Sequence, residues 1–152
     1  MSSSSDIRMV DIGGKPVTSR QAVAGGKVSM QAKTLGLLKK GKLPKGDVLA
    51  AARIAGIMAA KETHRLIPLC HPLLIEDVKI EFSFKEKAPA VEITATVKGS
   101  GKTGFEMEAL TAVAVSGLTI YDMCKTVDQT LRLDNIRLVK KSGGKSGTVK
   151  FE

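Results

Sequence analysis

Asp122 and Lys125 lie three residues apart in Ile120-Tyr121-Asp122-Met123-Cys124-Lys125. A glycine-rich basic run, Lys141-Ser142-Gly143-Gly144-Lys145-Ser146-Gly147, follows downstream. On a helix, residues i and i+3 share a face and reach one another. Leu118, Ile120, Tyr121 and Met123 predict an apolar surround for the pair. Partial burial beside an opposite charge shifts a pKa toward values useful in proton transfer. The bland alternative is an exposed ion pair, which contributes only about a few tenths of a kcal/mol. The downstream lysines sit on a glycine-softened tail able to fold over an anion. The combination suits acid/base chemistry on a phosphorylated small molecule.

Other residues fit the same chemistry. Leu69-Cys70-His71-Pro72 sets an imidazole in a proline-bounded loop. Glu106 and Glu108 open the long helix, where they complement its dipole or accept hydrogen bonds from a base or sugar. Lys45 precedes a helix cap, and Arg20, Lys141 and Lys145 add loop cations. Singly each is a solvated charge. Together they supply the point charges and forks that a triphosphate needs.

Three patterns mislead. Gly99-Ser100-Gly101-Lys102-Thr103-Gly104 matches G-x-G-x-x-G, but the preceding strand reads as half of an antiparallel hairpin, and Glu106 and Glu108 would repel a pyrophosphate. Gly101-Lys102-Thr103 and Gly144-Lys145-Ser146 resemble P-loop ends but lack the glycine five positions earlier. His64, Cys70, His71 and Cys124 show no metal-ligand spacing, so no metal is expected and the cysteines read as buried thiols.

The 152 residues suffice for one domain, and the formal charge of +9 points to acidic partners. Nucleic acid is one such partner. With one Tyr, four Phe and no Trp, a base-stacking platform is poorly supplied. Two cysteines give no disulfide framework, which favours a reducing, cytoplasmic compartment. The longest apolar stretch, residues 109–121, is too short to span a bilayer, which takes about 20 residues.

Residues 1–8, with four consecutive serines, are expected to be a disordered arm, and residues 9–152 a single catalytic domain. Alternation predicts a strand over 27–34 and a hairpin of strands 75–85 and 90–98. Helices are expected over 34–40, from the Asp47 cap onward, and over 105–127, with a last strand at 131–139. The 105–127 helix is apolar around almost its whole circumference, so part of it should be covered by another subunit. The order β-α-α-β-β-α-β predicts an α+β fold, a ferredoxin-like antiparallel sheet with helices packed on one face.

Taken together, Lys45-Gly46-Asp47-Val48, Ala52-Arg53-Ile54-Ala55-Gly56-Ile57, Leu66-Ile67-Pro68-Leu69-Cys70-His71-Pro72, Glu106-Met107-Glu108-Ala109-Leu110-Thr111 and the Asp122 and Lys141 segments resemble the MoaC family in order and spacing. The resemblance implies a cyclic pyranopterin monophosphate synthase, a phosphorus-oxygen lyase of molybdenum cofactor biosynthesis. Such an enzyme converts 3′,8-cyclo-7,8-dihydroguanosine 5′-triphosphate to cyclic pyranopterin monophosphate with release of pyrophosphate. Its substrate is made by a radical enzyme. The resemblance also implies a homohexamer, a trimer of dimers with active sites at the dimer interface; no cofactor is expected. It carries the catalytic roles onto Asp122, Lys125, Lys45 and Lys141. It carries substrate contacts onto Leu69, Cys70, His71, Met107, Glu108 and Arg20, while Glu106 and Lys145 join them on charge and position. The competing classes are a basic RNA-binding module and a non-catalytic partner of the radical enzyme.

Overall fold

The computed structural model describes residues 6–152. Of the arm expected at 1–8, residues 1–5 lie outside the described residues, and 6–8 are exposed without regular structure. Strand β1 (Thr18–Ser29) is followed by helices α1 (Ala32–Lys39) and α2 (Val48–Leu66), the hairpin β2 (Leu74–Lys85) and β3 (Ala90–Gly101), helix α3 (Glu106–Cys124), then β4 (Arg132–Ser142) and β5 (Val149–Lys150). The sheet runs β2-β3-β1-β4-β5 with every neighbouring pair antiparallel. The α+β class holds.

One face of the sheet carries the core. Ala22, Ala24 and Val28 of β1, Ile80 of β2, and Val91, Ile93, Ala95 and Val97 of β3 are buried at alternate positions, as a pleated strand requires. Helix α3 packs on β1, β3 and β4, and α2 lies beside it on β2. The two helices approach closely at Gly56, where a Cβ would collide with the Ser116 hydroxyl. Leu35 and Leu38 of α1 join the same core.

The first strand departs from expectation. It starts at Thr18, and residues 32–34 are helical. Inward positions in the early part of β1 are Ala22, Ala24 and Gly26, small because α3 lies so near: a Cβ on Gly26 would strike Val113. Small inward residues erase the hydrophobic alternation that marks a strand. Asp128 pins the start of α1 from a distance, its carboxylate accepting from Gln31 N at 2.9 Å and from Thr34 Oγ1 at 2.7 Å.

Asp128 is buried, and its other oxygen accepts from Thr130 N and Oγ1. Burial alone would raise its pKa, but these four bonds outweigh it and hold the carboxyl near 2 against an ordinary 3.8. A depressed folded-state pKa contributes stability above the unfolded value and loses it as pH falls through the folded one. Asp128→Asn should therefore lower the unfolding free energy at pH 7 by about 2–3 kcal/mol. The deficit should shrink between pH 4 and 2, a window that urea melts across pH would trace.

Candidate active site

The C-terminal end of α3 presents Asp122. Its Oδ1 lies 2.8 Å from Lys125 Nζ, and its Oδ2 lies 3.1 Å from Lys45 Nζ. Lys45 also donates to the Asp122 carbonyl at 3.2 Å. The turn before α2 places Lys45: Gly46 takes a φ of 103°, and Asp47 caps the helix by accepting from Ala50 N. Each carboxylate oxygen thus holds its own ammonium.

The apolar surround expected for this pair is missing from the single chain. The Asp122 and Lys125 side chains are 56% and 52% exposed, because Ile120 turns into the core while Leu118 and Tyr121 face outward. The pKa shifts consequently run opposite to those of burial. The hydrogen bond from Lys125, then that from Lys45, holds the Asp122 carboxyl below its ordinary value, and Asp122 holds Lys125 above its own. In this state Asp122 is ionised and Lys125 is a proton donor, not a base.

The N-terminal end of α3 borders a cavity of about 680 Å³ lined by Lys15, Arg20, Glu106, Lys141, Lys145 and Ser146 among others. Four cations meet one carboxylate. The segment 141–147 is not a free tail. Lys141 and Ser142 end β4, and β5 returns to pair Val149 with Lys141, so the glycines form a hairpin loop. Gly143 and Gly144 have φ of 93° and 73°, and a Cβ on either would run into Arg20. Only glycine allows this approach. Lys15 was not singled out by sequence reasoning; its signal is a cation beside Pro16, just before β1.

Two residues beyond Glu106 along α3, Glu108 is only 3% exposed, and its Oε1 has no hydrogen-bond partner among the described residues. Its Oε2 lies 3.7 Å from Cys70 Sγ. Burial raises the Glu108 pKa, and burial, then Glu108, pushes the Cys70 thiol up to about 11. Cys70 is therefore not a thiolate nucleophile at neutral pH. The vacant carboxyl oxygen is the kind of group that a ligand amide or hydroxyl satisfies. Met107 and Leu69 are exposed nearby in sequence, and His71 follows Cys70, half-buried.

The G-x-G-x-x-G pattern has a packing reason. Gly99 is glycine because a Cβ would meet the Leu74 carbonyl and the Phe105 ring. Among the described residues no group of three or more His, Cys, Asp or Glu is arranged to hold a metal ion. No helix among them is long and apolar enough to cross a membrane.

One chain does not bring all the candidate residues together. Glu106, Arg20, Lys141 and Lys145 sit at one end of α3, and Asp122, Lys125 and Lys45 at the other. Sixteen residues separate Glu106 from Asp122, which on a helix is about 24 Å.

Residues 9–144 match the MoaC family. The chain belongs to the MoaC family. It is 60% identical over 140 residues to a cyclic pyranopterin monophosphate synthase of Chloroflexus aurantiacus, covering 92% of this chain and 86% of that one. It is 56% identical over 145 residues to a protein of the same description from Roseiflexus castenholzii, covering 95% and 92%. A third, from Parvibaculum lavamentivorans, is 57% identical over 143 residues, covering 94% and 89%. In this MoaC-family chain both ends of α3 lie within the matched span.

Proposed function

We propose that this chain is a single-domain cyclic pyranopterin monophosphate synthase of molybdenum cofactor biosynthesis. It takes the cyclic nucleotide triphosphate supplied by a radical enzyme and releases pyrophosphate. Two copies complete each site. The observation that carries this reading is the division of the candidate residues between the two ends of α3. A proton-transfer cluster about 24 Å from a cationic cavity serves one small substrate only if a second copy supplies one of them.

The uncovered helix faces support the pairing. Ile54 and Met58 on α2 and Leu118 and Tyr121 on α3 are exposed apolar side chains, and a second copy covering them would also dehydrate Asp122. There the lysine pair and aspartate would move protons during ring opening and reclosure. Arg20, Lys141 and Lys145 would take up charge developing on the departing pyrophosphate as the cyclic phosphodiester closes. Glu108 would meet a polar edge of the base. The assembly is a hexamer, a trimer of dimers, acting in the cytoplasm; Cys70 and Cys124 are free thiols, which suits a reducing compartment.

The direct test is incubation of the purified protein alone with the cyclic triphosphate. Pyrophosphate and the cyclic monophosphate should appear in equal amounts; no turnover without the radical enzyme would overturn the reading. Light scattering should give about six times the 16.1 kDa chain mass. A 16.1 kDa particle at micromolar concentration contradicts the shared site.

A further inference from the structure

We propose that Glu106 is a built-in competitor for the cationic cavity, an internal anion that weakens the hold on free pyrophosphate and speeds its departure. The inference rests on the reading of that cavity as the polyphosphate site. Glu106 faces the same cations that would grip phosphate. Its Oε1 lies 3.4 Å from Lys141 Nζ, and both side chains line the cavity. The carboxylate is folded back over Gly104, where a Cβ would overlap it. Gly104 therefore has a reason beyond turn formation: it leaves room for Glu106 to reach the cavity. The position at the first turn of α3 adds a second constraint, since the helix dipole favours a carboxylate there.

The consequence is selective. A triphosphate attached to its nucleoside is also held at the base and sugar, so it can displace Glu106 from Lys141. Free pyrophosphate has only the cations. A carboxylate waiting beside Lys141 competes with it once the bond between the α- and β-phosphates is broken. Glu106 is thus a specificity-determining residue that favours the tethered polyphosphate over the detached one. It needs no role in the chemical step.

Calorimetric titration of inorganic pyrophosphate into the intact protein separates the possibilities. Glu106→Gln should tighten pyrophosphate binding by about three- to tenfold at low salt, with the gain shrinking as salt rises. Lys141→Ala should weaken it. Product inhibition by pyrophosphate should strengthen in Glu106→Gln by the same factor, with kcat lowered more than kcat/KM. A misfolded or loosened variant loses affinity, so a gain cannot come from damage. Unchanged or weaker binding in Glu106→Gln, with Lys141→Ala still weakening it, overturns the competitor role alone. If wild-type protein binds no pyrophosphate, or Lys141→Ala changes nothing, the cavity is not the polyphosphate site and the inference falls with that reading. Glu106→Asp keeps the charge on a shorter arm and should bind no more tightly than wild type.

Discussion

Asp122→Asn should lower turnover by about 10²–10⁴-fold, the usual loss when a proton-transfer group is removed. The carboxylate holds two ammonium groups, one on each oxygen. An amide retains one acceptor oxygen but presents its NH₂ to the second lysine, so one of the two contacts becomes repulsive. The charge that raises the Lys125 pKa disappears as well. Because the Asp122 side chain lies outside the buried core of its own chain, the variant should still fold and melt cooperatively. Single-turnover rates with a circular dichroism melt read both quantities. A variant with near-normal turnover would remove Asp122 from the chemistry.

Lys141→Ala should lower kcat/KM by about 10²-fold, in line with loss of one fixed donor at a site of developing charge. The side chain stands at the end of β4, held by its pairing with Ala22 on one side and Val149 on the other. That rigid base aims the ammonium into the cavity from a strand, not from a floppy tail. Removal also leaves Glu106 without the lysine it pairs with in the cationic cavity, adding repulsion toward phosphate. Neighbouring Lys145 lies on the glycine loop, so its loss should cost less. Steady-state kinetics on both variants would order them.

Much of this architecture was legible because its signals are periodic. The hairpin of β2 and β3 alternates Val78, Ile80 and Phe82 with charged residues, and it forms within a few residues of the expected bounds. The Asp47 cap and the all-round apolar α3 were legible for similar reasons. Strand β1 was not, since close packing against α3 demands Ala22, Ala24 and Gly26 where larger residues would announce a strand. Asp128 escaped notice altogether. Two of its four donors come from neighbouring Thr130, but the other two, Gln31 N and Thr34 Oγ1, lie more than 90 positions away, which no local spacing reveals.

At the candidate site, the sequence picked out the residues proposed to carry chemistry but not how they are grouped. The Asp122–Lys125 spacing gave the ion pair, and the third member, Lys45, joins through a contact spanning 77 positions. The glycine-lysine run read as a tail because the two-residue β5 is too short to signal its return. What the linear reading did not give is that Arg20, Lys141 and Lys145 gather at one end of α3 and Lys45 at the other.

That separation yields the most direct test. Asp122→Asn and Lys141→Ala chains, each nearly inactive alone, should regain activity when unfolded together, mixed in equal amounts and refolded. If each site takes the Asp122 cluster from one copy and the cavity from another, random pairing restores both halves in about a quarter of sites. The mixture should therefore reach about 25% of wild-type turnover. Activity no higher than that of the two variants assayed separately would mean that one chain supplies both halves, contradicting the shared site.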